Sequence, residues 1–417
     1  MKSIRKSPLL WIFLLGLLVR VAWVLYDPAQ PVSDFAWYDR MARNLATGVG
    51  YAISEGKPTA YRPPAYPLFL AVIYRLINDS LLAARLGNAF LGAATILMTY
   101  YLARRNFSHR EAVWGAALVA FTPSLILYSG LHASENLAVP LILATMLCLQ
   151  IGVDQNRRGW FIISGLLLGA ASLTRGSLFL LPFAWLVWLI FRGATIRRQL
   201  TIMACLAAGL AIPLLPWIVR NAVTFGYFIP LSTNDGINLL ISFNPHSKGK
   251  FVPGDQIPGL SNLREQNLDE YGFSLAARNL ALEFIRNQPL RALGLAPLKA
   301  FYFYRDDVSG VSWTNSNPHK PISDWIMLVL IILAQGYYVL LMLLAFAALV
   351  SYRKLPRNGR WIFILTPILY LTFLHIVFFG DDRFHLPLLP FFAIFSGFQA
   401  KQLWDRLAIK KRLAPSP

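Results

Sequence analysis

The 417-residue chain is 56% hydrophobic and 14% charged, and its mean hydropathy is +0.50. Because a soluble domain carries roughly 25% charged residues, this composition excludes an ordinary soluble protein and predicts a polytopic membrane protein. The net charge of +19 does not indicate nucleic-acid binding, since the basic residues form short runs between apolar segments. That distribution follows the positive-inside rule, which places basic loops in the cytoplasm. The runs are Arg104-Arg105, Arg157-Arg158, Arg197-Arg198, Arg353-Lys354 and Lys410-Lys411-Arg412.

The apolar segments predict an all-α bundle of roughly ten transmembrane helices, because about 20 apolar residues are needed to cross a bilayer. A shorter apolar segment, 65–77, is predicted to dip into the membrane interface. Segments 160–173 and 178–191 form either one outward-facing hairpin or a single bent element, and the hairpin better keeps the nearby basic residues cytoplasmic. The predicted spans are 8–26, 82–102, 112–128, 137–153, 160–173, 178–191, 200–219, 324–350, 361–379 and 386–399.

These spans divide the chain into three predicted domains. Residues 1–219 form an N-terminal transmembrane module whose first external loop is 27–67. Residues 220–321 contain no long apolar segment and are rich in turn residues, so we predict an external, periplasmic loop domain. Helices are predicted in it at 263–287 and 290–304. Residues 322–417 are predicted to hold the C-terminal transmembrane helices and a basic cytoplasmic tail.

The first external loop contains an acid, Asp34, and an arginine, Arg62, that precedes two prolines. Ser33 is predicted to cap a short helix in which Tyr38 and Met41 recur at helical spacing. Asp34 is either an acid favoured by the positive end of that helix or a general base at the outer membrane surface. Arg62 is either an interfacial anchor or a phosphate-binding group, since its planar fork donates two parallel hydrogen bonds.

Further candidates lie at the outer ends of the predicted spans. Arg175 and Arg383 are predicted to join Arg62 in a donor-phosphate site. Structural interpretations, such as an arginine that reaches the interface or an acid at a helix start, stay open for all of them. The sequence has no metal-binding or nucleotide-binding motif, so no metal ligand is assigned and a divalent cation remains open. The candidate substrate-binding residues are Tyr38, Glu135, Arg220, Asn221 and His385.

Two segments of the first external loop, SDFAWYDRMARNLATGVGY and PTAYRPPAYPLFLA, resemble GT-C glycosyltransferases of the protein O-mannosyltransferase and aminoarabinose transferase group. The similarity continues in SLTRGSLFLLP, LPWIVRNAVTFGYFIPLSTNDGINL, NQPLRALGLAPLKAFYF and RFHLPLLPFFAIFSG, and so covers nearly the whole chain. The resemblance implies a GT-C type bundle with a catalytic first external loop. Asp34 matches the family's acid that acts on the acceptor. Arg62 matches the basic residue that contacts the donor phosphate, and Tyr38 a tyrosine that follows the acid.

Three positions depart from the family pattern. Phe35 stands where relatives often have a second acid, Trp37 where some have a basic residue, and Tyr61 where some have an acid. The departures put protein O-mannosylation, and a metal site shared with the aminoarabinose enzymes, in doubt for this chain.

The resemblance implies a membrane glycosyltransferase that moves a sugar from a polyprenyl-phosphate donor to a lipid, glycan or protein acceptor, with inversion. A lipid phosphate is a good leaving group, so one acid suffices where a glycosidase needs two. The expected location is the bacterial cytoplasmic membrane, with the active site on the periplasmic face and the donor's tail in the bilayer. The alternatives are a transporter or flippase, and a polysaccharide polymerase or ligase.

Overall fold

The computed structural model describes residues 8–27, 29–356 and 359–413. Over these residues the chain is all-α, as predicted, apart from one small antiparallel sheet of β1 (Ala52–Ser54) and β2 (Lys57–Pro58). The helices are α1 (Pro8–Tyr26), α2 (Ser33–Ala46), α3 (Ala65–Leu76), α4 (Leu81–Asn106), α5 (His109–Ala120), α6 (Pro123–Leu127), α7 (Glu135–Gln155), α8 (Arg158–Ser172), α9 (Leu181–Phe191), α10 (Ile196–Phe225), α11 (Asp235–Ser242), α12 (Leu260–Glu265), α13 (Glu270–Asn287), α14 (Pro289–Tyr304), α15 (Ser309–Thr314), α16 (Asp324–Val350), α17 (Ile362–Val377) and α18 (Leu389–Leu413).

Five of the described helices, α1, α4, α7, α10 and α16, are long and apolar enough to cross a membrane. A sixth span results if α5 and the segment 123–130, which meet at a bend of 56°, are one broken span. The apolar helices α3, α8 and α17 are shorter, as is the segment 176–191. The chain is therefore a multi-pass membrane protein, while the count of roughly ten spans stays a prediction. The final residues of the predicted basic tail, 414–417, lie outside the described residues.

The predicted span 112–128 is broken, and a buried arginine from α1 binds the break. Helix α5 ends at Ala120, and Pro123 begins α6. The Arg20 side chain is fully buried and donates hydrogen bonds to the carbonyls of Val119 and Ala120, at 3.2 and 2.9 Å. A cation at a helix C-terminus satisfies free carbonyls and the helix dipole together. The break redirects the chain toward Glu135, at the start of α7.

Helices α8 and α10 touch backbone to backbone through glycines. A Cβ atom on Gly165 would lie 2.1 Å from the Leu206 carbonyl oxygen, and one on Gly209 would lie 2.0 Å from that of Ile162. Small residues allow such approach inside membranes, where dispersion contacts rather than hydrophobicity hold helices together. The segment 160–191, which the sequence left open, forms two separate helices, α8 and α9.

Opposite ends of α7 have different chemistry. Near its last turn, Asp154 pairs with Arg105 at 2.7 Å and with Arg360 at 3.2 Å, so basic residues from two other segments meet there. Glu135 occupies the first turn. Since a 21-residue helix is about 30 Å long, these two ends are separated by roughly the thickness of a hydrocarbon core.

The region 220–321 is built around α11 to α14, which share their own apolar core. The predicted helix 263–287 is shorter than expected: α13 begins at Glu270, after the separate short helix α12. The predicted helix 290–304 is confirmed as α14. The backbone of Gly380, in the loop before α18, donates to the Gly249 carbonyl at 2.9 Å. This contact joins the region to the loop that contains Arg383.

Candidate active site

The loop between α1 and α3 presents Asp34 at the start of α2, whose opposite face is buried. Phe35, Tyr38 and Met41 fill the core beneath it, as the helical spacing predicted. Ser33 is not the N-cap. It is the first helical residue, with φ of 49°, and the preceding Val32 offers no capping hydrogen bond. The predicted cap is therefore wrong, because the Val32 carbonyl accepts from the Phe35 and Ala36 amides and the helix begins one residue earlier than predicted.

Two arginines from distant parts of the chain hold the Asp34 carboxylate. Arg62 Nη2 donates to Asp34 Oδ1 at 2.5 Å, and Arg383 Nη1 donates to Asp34 Oδ2 at 2.9 Å. Arg62 comes from the same loop between α1 and α3, whereas Arg383 lies in the short 3-10 segment that precedes α18. Each carboxylate oxygen thus has one guanidinium partner.

A second carboxylate extends the cluster. Glu135 is fully buried and accepts hydrogen bonds from Arg175 and from Arg383, whose Nη2 lies 3.3 Å from Glu135 Oε2. Arg383 therefore bridges Asp34 and Glu135. The Tyr38 hydroxyl reaches the same cluster through Ser134 Oγ, 3.4 Å away. The three arginines predicted as a phosphate set, Arg62, Arg175 and Arg383, lie in one ion-pair network.

Aromatic rings occupy the three positions that depart from the family pattern. The Phe35 ring lies 5.1 Å from the Arg383 guanidinium. Trp37 and Tyr61 flank the Arg62 guanidinium, at 6.0 and 5.4 Å from their ring centres. Cation–π contacts hold each arginine without adding a competing negative charge. At Phe35 and Tyr61, where relatives have acids, the rings leave the arginines more of their positive potential than acids would.

The arginines determine the ionisation of Asp34. Burial alone would raise the pKa of Asp34, but the charges of Arg383 and Arg62 outweigh it and hold the pKa below its ordinary value. The carboxylate is therefore ionised at neutral pH. Nearby, burial and the neighbouring Asp382 raise the pKa of Asp381 to about 6.

The predicted substrate residues Arg220 and Asn221 bind the chain itself. Arg220 donates to the backbone carbonyls of Thr59 and Tyr51, both at 2.8 Å, and to Asn221 Oδ1 at 2.9 Å. Asn221 is buried and donates to the Ile229 carbonyl at 2.9 Å. This geometry favours a role in holding the external loop. A direct substrate contact by either residue stays a prediction.

His385 is also held internally. Its side chain is fully buried, with Nδ1 2.6 Å from the Phe303 carbonyl oxygen and Nε2 3.4 Å from Asp307 Oδ1. Burial alone would lower the pKa of His385, but its contact with Asp307 outweighs burial and raises the pKa above the ordinary value. The residue supports the backbone two positions after Arg383, and its predicted substrate contact remains untested.

Sequence reasoning missed Glu270, an acid from α13. Its carboxylate accepts hydrogen bonds from Thr59 Oγ1 at 2.6 Å, from the Ala60 amide at 2.8 Å and from Thr233 Oγ1 at 2.6 Å. In the sequence it lies inside the predicted helix 263–287, next to another acid, which gives no sign of a partner about 210 positions earlier. Among the described residues, no group of three or more His, Cys, Asp or Glu side chains could hold a metal ion.

The fold and this ion-pair cluster define a multi-pass membrane protein with a carboxylate and an arginine-rich centre at one end of its helices. Residues 61–219 match the family model described as dolichyl-phosphate-mannose-protein mannosyltransferase. The match covers less than half of the chain. It includes Arg62, Glu135 and Arg175, and it leaves out Asp34 and Arg383. No curated protein sequence matches the chain.

The fold is shared with solved membrane-protein structures at low sequence identity. The oligosaccharyltransferase AglB from Archaeoglobus fulgidus, in complex with an inhibitory peptide and a dolichol-phosphate, aligns with a TM-score of 0.58 and 15% identity. The alignment covers 100% of this chain and 53% of AglB, so the chain spans about half the length of that protein. ArnT from Cupriavidus metallidurans, bound to undecaprenyl phosphate, aligns with a TM-score of 0.48 and 16% identity, over 94% of this chain and 77% of ArnT. The predicted GT-C type fold is confirmed.

Proposed function

We propose that this protein is a membrane glycosyltransferase that moves a sugar from a polyprenyl-phosphate donor to a hydroxyl or amine acceptor. The observation that carries the proposal is the Asp34 carboxylate held between Arg62 and Arg383. A carboxylate can take the acceptor's proton, and guanidinium groups suit the oxygens of a phosphate. A base for the acceptor and a binding group for the donor phosphate, both needed for sugar transfer, therefore lie in contact.

The charge balance of the cluster favours an anionic ligand. The ion-pair network contains three arginines and two carboxylates, which leaves one positive charge. A sugar linked to a polyprenyl phosphate is a phosphodiester with one negative charge, so its binding would neutralise the cluster. Arg62 also has an unused donor: its Nε is buried and has no hydrogen-bond partner among the described residues.

The same geometry suggests how donor binding activates the base. In the structure Arg62 and Arg383 are partners of Asp34, and a donor phosphate would compete with Asp34 for both. Release from the two arginines raises the basicity of the carboxylate, because positive charges close to an acid lower its pKa. Asp34 would then become a stronger base only when the donor is bound.

The transfer step balances with these groups. The acceptor oxygen or nitrogen attacks the anomeric carbon on the face opposite the phosphate, and its proton passes to Asp34. The bond between the anomeric carbon and the phosphate oxygen breaks, and the electron pair remains on the phosphate, whose charge the arginines stabilise. The product is formed with inversion, and polyprenyl phosphate leaves as an anion.

The similarities to known proteins agree with this assignment, whose basis is the geometry of the site. The family model over residues 61–219 is described by a dolichyl-phosphate-mannose donor and a protein acceptor, and the AglB structure contains a dolichol-phosphate and a peptide. For this chain we infer a polyprenyl-phosphate sugar as donor, with a lipid, glycan or protein as acceptor. We also place the enzyme in the bacterial cytoplasmic membrane with its site on the periplasmic face.

The first prediction tests the base. Asp34→Asn keeps the shape of the side chain but removes its ability to take a proton. We expect transfer from a panel of polyprenyl-phosphate sugars, measured with purified full-length protein, to fall by about 10²- to 10⁴-fold. Binding of polyprenyl phosphate alone, measured by native mass spectrometry, should be retained or become tighter, since the arginines lose a competing anion.

A matched control is Glu55→Gln, in the exposed turn between β1 and β2 of the same loop. This variant should transfer sugar at the normal rate. Normal transfer by Asp34→Asn would contradict the role of Asp34 as base. Failure of the wild-type protein to bind polyprenyl phosphate would contradict the proposed donor class.

A further inference from the structure

The segment 59–62, which ends at Arg62, is anchored by residues of other elements as well as by residues of its own loop. After β2, the chain passes through Thr59 and Ala60, both of which are fully buried, to reach Arg62. The Thr59 carbonyl accepts from Arg220, and the Ala60 carbonyl accepts from the Thr233 amide at 3.0 Å. These bonds fix the backbone immediately before the arginine.

Glu270 completes this set of anchors with both of its carboxylate oxygens. Oε2 accepts from Thr59 Oγ1, and Oε1 accepts from the Ala60 amide and from Thr233 Oγ1. The same Thr59 hydroxyl oxygen accepts from the Tyr61 amide at 3.0 Å, so Glu270 also orients the residue next to Arg62. Hydrogen bonds to an ionised acceptor are about twice as strong as neutral ones.

On the far side of Arg62, the Tyr51 hydroxyl donates to the Arg62 carbonyl at 2.7 Å. Two prolines follow and restrict the backbone further. With the backbone fixed before and after it, only the side chain of Arg62 is free to exchange Asp34 for another anion. Such preorganisation lowers the cost of binding a ligand.

We propose that Glu270 is a positioning residue for the donor: it holds the segment 59–62 so that the Arg62 guanidinium meets the donor phosphate. This inference rests on the proposed function. Glu270 belongs to the first turn of α13, in the region 220–321, and so that region contributes directly to the donor side of the site. It acts through Arg62 and touches no substrate.

The test compares Glu270→Ala with Glu283→Ala in the full-length protein. Glu283 lies on the same helix and is exposed, so its replacement makes the same change in charge without touching the loop. We expect Glu270→Ala to raise the donor KM, and the Kd for polyprenyl phosphate, on the order of 10- to 100-fold, with a smaller change in kcat. Glu283→Ala should match the wild type.

A double-mutant cycle separates positioning from general stability. If Glu270 acts through Arg62, then Glu270→Ala should have no further effect on donor affinity in an Arg62→Ala background. Glu270→Gln should retain most of the donor affinity. Its side-chain oxygen can still accept from the Ala60 amide and the Thr233 hydroxyl, and its side-chain nitrogen can donate to the Thr59 hydroxyl. Should Glu270→Ala fail to fold, Thr59→Val removes two bonds of the set, those to Glu270 and to the Tyr61 amide, with little change of volume and should raise donor KM in the same direction.

Hydrogen exchange of the amides at 60–62 provides a readout that needs no substrate. Faster exchange in Glu270→Ala than in Glu283→Ala is expected. Unchanged exchange and unchanged donor affinity in folded Glu270→Ala would overturn the proposal, as would a loss of kcat and thermal stability without any shift in donor KM. If the wild type does not bind polyprenyl phosphate, the proposed donor fails, and the exchange data alone decide whether Glu270 holds the loop.

Discussion

Arg383 connects the two carboxylates of the site, and its position follows from several separate features of the chain. Its guanidinium contacts both Asp34 and Glu135, and it packs on the Phe35 ring. Its backbone amide donates to Asp381 Oδ1 at 3.1 Å. A guanidinium stays charged at every working pH. Arg383 therefore lowers the pKa of Asp34 in the free enzyme at every working pH.

The pKa of Asp34 gives a prediction for the dependence of activity on pH. Because Arg383 and Arg62 hold this pKa below its ordinary value of about 3.9, Asp34 stays ionised as pH falls toward 4. The wild-type profile of kcat/KM should show no loss from Asp34 above about pH 5. In Arg383→Gln the Asp34 pKa rises, so the remaining activity should decline at a higher pH than in the wild type.

Asp381 is the control for this measurement. Burial and Asp382 raise its pKa to about 6, so a change in the wild-type profile near that pH that disappears in Asp381→Asn comes from Asp381 and not from Asp34. Asp34→Asn should not remove it. An acidic limb that moves to lower pH in Arg383→Gln would contradict the electrostatic role of Arg383.

Among the secondary-structure elements, the long apolar helices could be predicted from the sequence, whereas breaks and long-range contacts could not. The bounds of α1 and α16 agree with the predicted spans 8–26 and 324–350, because continuous apolar character is a local property. The three arginines predicted as a phosphate set, Arg62, Arg175 and Arg383, lie in one ion-pair network, as expected for residues predicted at the same ends of their spans. The break after Ala120 and the role of Glu270 depend on partners about 100 and 210 positions away, which local patterns do not contain.

The contact between α8 and α10 gives a prediction about stability. Any side chain at Gly165 would collide with the backbone of α10, where no flexible group can move aside. We expect Gly165→Leu to force the two helices apart, at a cost of about 1–3 kcal/mol or more, and to lower the thermal midpoint of the purified protein. Gly159→Ala, on the same helix but with open space around the added atom, is the matched control. Equal midpoints for the two variants would show that the helices do not meet this closely.

For the whole molecule, the separation of charges along α7 relates the site to the membrane. Basic residues pair with Asp154 near one end, and Glu135 at the other end belongs to the proposed active site. The positive-inside rule assigns the first end to the cytoplasm, and the site then faces outward. An outward site agrees with a donor whose tail remains in the bilayer while its sugar meets an external acceptor.

Cysteine labelling tests this orientation in intact cells. The two native cysteines, Cys148 and Cys205, are partly buried in apolar helices and are first replaced by alanine. Glu55→Cys, in the exposed β1–β2 turn, should react with a membrane-impermeant maleimide in intact cells. Gln155→Cys, exposed at the opposite end of α7, should react only after the membrane is permeabilised. The reverse pattern would place the site on the cytoplasmic side, and the basic runs would then lie outside, against the positive-inside rule. Reaction of both cysteines in intact cells would exclude a membrane between them.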